Sequence, residues 1–427
     1  MKIFCVGIGG IGLSGVAQIL RSRGHEVSGS DASISSLTAS LEESGIKVFS
    51  HHAESNIDES YELLIYSEAV PESNPERMKA KKLGLKSMNY AKALGMISEG
   101  KKTIAITGTH GKTTVTGMLT SILLQAGTDP SIIIGSKMDQ LGGRNYRVGD
   151  SDLFLSEACE YRDNFLELHP SIVLINNLEP DHLDYFGTEE KYYASFQKMS
   201  EKIPNSGAII LWENDMKRLD FSKISAKKVI LSAEDSLRHE FTLQIPGIHN
   251  QLNACAAQAV ARELRISDED IRSGLEKFKG TWRRFEWKGA INGAMVYDDY
   301  GHHPTEIRAT IQAAREKYPE KNLVVVFQPH QYSRTREFFD EFATSFSGAS
   351  EVWITDIYKA RDSQEDIENT SAEKLSEAIS QSQVSSYIPQ RILPETIQTR
   401  ADSETVFLIM GAGNINEVFQ HLLFDPQ

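Results

Sequence analysis

The stretch "ITGTHGKTT", residues 106 to 114, follows a β-branched run and places Gly108, Thr109, His110, Gly111, Lys112, Thr113 and Thr114 at the start of a helical pattern. Backbone N–H groups of such a turn can surround phosphate oxygens. A lysine directly after it can reach the β and γ phosphates, and a threonine hydroxyl can ligate Mg2+. The strict Walker A form has glycine five positions before the Gly-Lys pair, where this chain has Ile106. The loop is therefore a shortened phosphate cradle, with ATP and magnesium as the expected ligands. A lysine there faces ligand rather than core, so its loss is expected to leave the fold intact.

Nucleotide chemistry also needs metal ligands at strand exits beside the phosphates. "LFLSEACE" offers Glu157, and "IVLINNLEPDHLD" offers Asn177, Glu179, Asp181 and His182, each just past an apolar run. In a parallel sheet these exits face the same crevice as the phosphate loop. A second glycine loop stands at the other end of the chain. "GIGGIG" fits G-x-G-x-x-G at Gly7, Gly9 and Gly12, with Gly10 between, and Asp31 lies 19 residues beyond Gly12. Glycines there allow a tight turn and a close approach to a diphosphate. Three ligand readings stay open from this loop alone: a nicotinamide or flavin dinucleotide, no ligand, or another diphosphate such as a nucleotide sugar.

The elements that must position these residues alternate throughout. "KIFCVG", the helix after "GIGGIG" and "HEVSGSD" form a strand-helix-strand unit, and the charged "SEGKK" closes that segment. "TIAITG" and "TTVTGMLTSILLQAG" begin a second set, which carries the Ala-rich helix of "GIHNQLNACAAQAVARELRI" near its end. A third set begins after Trp282 with "AMVYDDY" and ends with "TVFLIMG". The pattern is α/β with three parallel-sheet modules. The boundaries expected are 1–98, 99–280 and 281–427. A net charge of −14 argues against a general nucleic-acid binder, and no 18-residue apolar run reads as a membrane span. Cys5, Cys159 and Cys255 are too few and too scattered for a disulfide scaffold, which points to a reducing cytoplasm. Oligomeric state is not legible.

"GTHGKTT", "EACE", "NNLEPDHLDYF", "PGIHNQLNACAA", "TWRRFE", "DDYGHHPTE" and "QPHQYSRTR" together resemble the Mur ligases, ATP-dependent amide-forming enzymes of bacterial peptidoglycan synthesis. The likeness runs over nearly the whole chain and looks most like the branch that adds L-alanine to UDP-N-acetylmuramate. It implies a three-domain architecture: a Rossmann-like N-terminal domain for the UDP sugar, a central P-loop ATPase domain and a Rossmann-like C-terminal domain for the amino acid. It assigns Gly7, Gly9, Gly10, Gly12 and Asp31 to the UDP sugar, and residues 108–114 with Asn250 and Asn253 to ATP. Lys112, Glu157, His182, Arg284 and Asp299 would be catalytic, with Thr113, Glu157 and His182 holding Mg2+. Tyr300, Arg334 and Arg336 would approach the alanine. One departure concerns a carbamylated lysine that several family members carry about fourteen residues after the motif histidine. Phe196 stands fourteen residues after His182, and Lys198 comes two residues later, off that helical register.

The chemistry so implied is activation of a lactyl carboxylate by ATP as an acyl phosphate, then attack by the alanine amine, with His302, His303 or His182 able to take the proton. Three other readings compete. A recycling ligase would join a murein tripeptide to the same sugar. An NAD-dependent oxidoreductase would rest on the first loop and leave the second loop and its acids unexplained, and the third reading is a non-catalytic nucleotide-switch or binding module.

Overall fold

A computed structural model gives the fold and describes residues 1–426 except positions 34, 239 and 361. It holds three sheets in two compact units. The first unit comprises Met1–Thr242 with Leu252–Lys279, and the second Leu243–Gln251 with Gly280–Gln427.

The first sheet is built from β1 (Lys2–Val6), β2 (Glu26–Ser30), β3 (Lys47–Phe49), β4 (Leu63–Tyr66) and β5 (Lys86–Asn89), in the order β3-β2-β1-β4-β5. All its pairings are parallel. Central β1 is buried on both faces from Ile3 to Val6, which is why it reads as a continuous apolar run rather than an alternating one. The first glycine loop leaves its carboxyl end and enters the helix Ile11–Ser22.

The second sheet has β6 (Lys102–Thr107), β7 (Ser131–Met138), β8 (Arg144–Arg147), β9 (Leu153–Glu157), β10 (Pro170–Ile175), β11 (Ala208–Trp212) and β12 (Lys227–Leu231), ordered β12-β11-β10-β6-β9-β7-β8. β6 is flanked by β9 and β10, so its phosphate loop lies between the two strand exits that carry the acids. β7 and β8 pair antiparallel, a departure from the all-parallel expectation. Gly142 and Gly143 make that reversal, with φ of 66° and 72°, where other residues are strained.

Within the first unit the two sheets are tied together near the glycine loop. The Asn145 amide on β8 donates to the Ile11 carbonyl in the first turn of the helix Ile11–Ser22. Arg23 donates to the Ile97 carbonyl at 2.8 Å.

The second unit carries β13 (Glu286–Ile291), β14 (Ala294–Asp299), β15 (Asn322–Phe327), β16 (Glu351–Ile354), β17 (Ser385–Tyr387) and β18 (Thr405–Met410), ordered β13-β14-β18-β15-β16-β17. Edge strand β13 is antiparallel to β14. One core covers a face with Ile307 and Ile311 of the helix Pro304–Lys317, and another covers the opposite face with Leu393, Ile397 and Ile415. The helical pattern of "TREFFDEFATSF" is divided into Tyr332–Glu337 and Phe339–Ala343, because Phe338 leaves helical geometry. Among the described residues, no helix is long and apolar enough to cross a membrane.

Candidate active site

The phosphate loop has the conformation its residues dictate. Gly108 adopts a φ of +123°, and a side chain there would press on the backbone of Asn176 and Asn177 at 2.9 Å. Gly111 caps the helix Lys112–Gln125 in the left-handed region, and a Cβ on it would meet Asn176 Nδ2 at 2.5 Å and Asn253 Oδ1 at 2.7 Å. Only glycine fits either position. The loop is held from below by amides. Asn176 and Asn177 donate to the His110 carbonyl at 3.0 and 2.9 Å, and the His110 N–H donates to Asn177 Oδ1 at 2.8 Å. Asn176 also donates to Asn253 Oδ1 at 2.9 Å, so Asn253 supports the loop.

Lys112 folds back over the loop. Its ammonium donates to the Gly108 and Thr109 carbonyls at 2.5 and 3.0 Å and to Glu160 at 3.1 Å. Burial works against the charge, but Glu160, with Cys159 and Glu157, outweighs it and the lysine pKa is raised. Lys112 therefore keeps its charge. Glu160 is almost completely buried and also lies 3.9 Å from His182 Nε2. Thr113 donates its hydroxyl to both oxygens of Glu157, at 3.0 and 2.9 Å, and the Gly135 N–H on β7 donates to the same carboxylate at 2.8 Å. The Thr113 hydroxyl and the Glu157 carboxylate are oxygen donors of the kind Mg2+ takes, and the His182 imidazole adds a nitrogen donor, so the three together suit a divalent cation. His182 stands with a φ of 56°, and its ring lies tilted at 47° to that of Tyr161 with the centroids 4.8 Å apart. On the helix Glu189–Glu201, Phe196 is buried and Lys198 exposed, so that helix turns no lysine inward at the register where a carbamate would stand.

The first glycine loop is braced by its own acid. Asp31 accepts the Gly9 N–H at 2.9 Å and the Ser33 N–H at 3.0 Å, and Gly7 and Gly10 hold the turn through N–H bonds to Ser30 and Gly7 carbonyls at 2.8 and 3.1 Å. A Cβ on Gly12 would come within 2.7 Å of the Tyr90 ring.

The second unit gathers Arg284, Asp299 and Tyr300. Asp299 accepts the N–H groups of Phe285 and Gly301 at 2.8 and 2.7 Å. Burial raises its pKa, against the pull of Arg284 and those two bonds. Arg284 lies 3.9 Å from Glu306 and covers the Tyr300 ring at 5.2 Å. The neighbouring Arg283 is buried on Asp298, both contacts being 3.1 Å. Burial, aided by Arg284, lowers the His249 pKa to about 4, so its imidazole is neutral at neutral pH. Asn250 donates to the Pro246 carbonyl at 2.6 Å within this unit. Arg334 is buried on the helix Tyr332–Glu337, whereas Arg336 is half-exposed and pairs with Asp366 at 2.9 Å.

A strand, a glycine turn with lysine and threonine, and carboxylates at the adjoining strand exits have the arrangement of a P-loop. The Mur ligase family profiles match in succession: the catalytic domain over residues 2–102, the middle domain over 106–236 and the glutamate ligase domain over 283–413. A UDP-N-acetylmuramate--L-alanine ligase of Clostridium acetobutylicum is 39% identical, over 99% of this chain and 97% of that protein. A crystal structure of the UDP-N-acetylmuramate-alanine ligase of Thermotoga maritima superposes with a TM-score of 0.82 at 29% identity, over 98% and 97% of the two chains. A murein peptide ligase from Psychrobacter arcticus shares the fold, with a TM-score of 0.73 at 23% identity over 99% and 98%. The chain belongs to the Mur ligase family.

Three residues escaped the sequence reading. Glu160 stands in the quoted "EACE", Asn176 is the first of "NN", and His249 opens "HNQLN". Each motif was visible, but which of its polar side chains turns inward is set by the strand exit and not by the spelling.

Proposed function

We propose that the chain ligates L-alanine to the lactyl carboxylate of UDP-N-acetylmuramate at the expense of ATP, giving UDP-N-acetylmuramoyl-L-alanine, ADP and phosphate. The observation that supports this most is the 39% identity, over 99% of the chain, to a ligase of that name. Loop 7–12 with Asp31 takes the UDP diphosphate, and loop 108–114 takes the triphosphate. The expected domains 1–98, 99–280 and 281–427 divide the work among UDP sugar, ATP and amino acid. ATP and UDP sugars are cytoplasmic metabolites, which places the reaction there as a step toward cell-wall peptidoglycan.

A carboxylate resists attack by an amine because its oxygen is a poor leaving group. In the first step a lactyl oxygen bonds to the γ phosphorus while the bond to the β–γ bridging oxygen breaks, leaving an acyl phosphate and ADP. Lys112 exchanges the Gly108 and Thr109 carbonyls for phosphate oxygens and stabilises the charge that spreads over them. Thr113, Glu157 and His182 would hold magnesium, which neutralises phosphoryl charge when bound. In the second step the alanine nitrogen bonds to the acyl carbon, phosphate leaves with the C–O electron pair, and an imidazole such as His302, His303 or His182 takes the amine proton. Arg334 or Arg336 clamps the alanine carboxylate. No side-chain nucleophile is required.

The test is ADP release with UDP-N-acetylmuramate against L-alanine, glycine, L-serine, D-glutamate and the L-Ala-γ-D-Glu-diaminopimelate tripeptide. L-alanine should be used best, with glycine and L-serine next, since one methyl or hydroxyl is only modestly discriminated. Preference for the tripeptide would make the chain a recycling ligase, and ADP release indifferent to the UDP sugar would refute both.

A further inference from the structure

Tyr90 opens the helix Tyr90–Ser98, whose first turn Asn89 caps by accepting the Lys92 N–H at 3.0 Å. Its ring lies against the last glycine of the first loop. A Cβ on Gly12 would stand 2.7 Å from the ring carbon Cζ and 2.9 Å from the hydroxyl oxygen. The phenol also feels the Glu157 carboxylate and the Cys159 thiol at the exit of β9. A tyrosine phenol, with an ordinary pKa of about 10, keeps its proton at neutral pH, so the hydroxyl is a donor. The side chain is half-buried, and among the described residues no protein group hydrogen-bonds with its hydroxyl. The surrounding frame is fixed within one unit, by Asn145 on the Ile11 carbonyl and by the Gly135 N–H on Glu157.

A half-buried phenol with no hydrogen-bond partner among the described residues, packed against the first glycine loop and within electrostatic reach of Glu157, stands where a ligand held by that loop can meet it. Resting on the ligase reading, the UDP diphosphate lies at one end of the span from that loop to Glu157 and the lactyl carboxylate at the other. We propose that the Tyr90 hydroxyl is a substrate-positioning donor, which hydrogen-bonds an oxygen of the sugar or its lactyl arm as the chain passes from Gly12 toward Glu157. A neutral donor suits the place. It orients an anionic substrate without adding negative charge beside Glu157, and the absence of a side chain at Gly12 leaves the ring its room.

The experiment is calorimetric titration of wild type and Tyr90→Phe with UDP-N-acetylmuramate and, separately, with UDP, together with the KM for ATP. Phe keeps the ring against Gly12 and removes only the hydroxyl. Tyr90→Phe should bind UDP-N-acetylmuramate about ten-fold more weakly, the size of one hydrogen bond to a polar or charged group, with UDP affinity and the ATP KM unchanged. Unchanged binding of UDP-N-acetylmuramate by the variant overturns the proposal and leaves the ligase reading standing. Equal losses for UDP and for the UDP sugar also overturn it, because the ring would then serve only to shape the loop. Failure of the wild type to bind the UDP sugar removes the ligase reading, and the proposal with it.

Discussion

Replacing Lys112 by Met keeps the unbranched side chain to within one heavy atom and removes its charge, so the loss reports mainly on the ion pair. The sequence alone implies that the fold tolerates this change. The structure predicts otherwise, because Glu160 is 1% exposed and Lys112 Nζ, at 3.1 Å, is its counter-ion. Removing one partner of a buried pair costs roughly 3–5 kcal/mol, since the remaining charge has lost both water and its partner. Lys112 itself is 14% exposed, so solvent screens part of the pair and the lower end of that range is expected. For a unit of this size about 1 kcal/mol moves the midpoint by ~2 °C, so scanning calorimetry should show a fall of about 6 °C in the transition of the first unit. The double variant Lys112→Met/Glu160→Gln leaves no buried charge and should recover most of the loss, although neither variant should form acyl phosphate. A single variant that melts with the wild type, or a double variant that melts no higher than the single, would refute the argument.

Two further outcomes separate roles in the second unit. Arg334 is buried whereas Arg336 is half-exposed, and a buried guanidinium is screened less by solvent, so Arg334→Ala should raise the KM for L-alanine at least ten-fold with little change for ATP, and Arg336→Ala should do much less. Steady-state kinetics with the alanine concentration varied decides between them. His249, whose pKa falls from 6.5 to about 4 on folding, binds more protons in the unfolded chain between those values. Stability of the second unit is therefore full above about pH 6.5 and declines as pH falls toward 4, by at most ~3 kcal/mol. His249→Gln should flatten that part of the melting-temperature profile, and an equally steep profile in the variant would assign the dependence to other groups.

How far the sequence could be read depends on what kind of force fixes each feature. Buried parallel strands such as β1 and β6 announce themselves, because both faces must be apolar and no polar alternation interrupts them. The glycines at 108 and 111 are legible for a similar reason: their backbone angles and the close approach of Asn176, Asn177 and Asn253 admit nothing larger. The hairpin of β7 and β8 was not anticipated, since β8 is a four-residue edge strand with the polar sequence "RNYR". β13 escaped as well, because "EWKGAI" is a half-exposed antiparallel edge. Edges carry weak patterns because only one side of the strand is constrained by pairing.

The site residues divide along the same line. Lys112, Thr113 and Glu157 could be named because their backbone positions, after a glycine turn and at a strand exit, fix where they stand. The partner of Lys112 could not, since Glu157 and Glu160 are both acids of "EACE" and alternation along a strand ends at its exit. The structure separates them. Glu157 ends β9 and faces Thr113 and Gly135, whereas Glu160 lies beyond the strand and turns into the core under Lys112. One acid thus faces the Thr113 hydroxyl, and the other holds the lysine charged and in place. On the proposed ligase reading, that division accounts for a buried carboxylate beside a loop meant for phosphate. Its negative charge is matched by Lys112, it holds the ammonium over the loop, and Lys112 would reach a γ phosphate by giving up only the two carbonyl oxygens of Gly108 and Thr109.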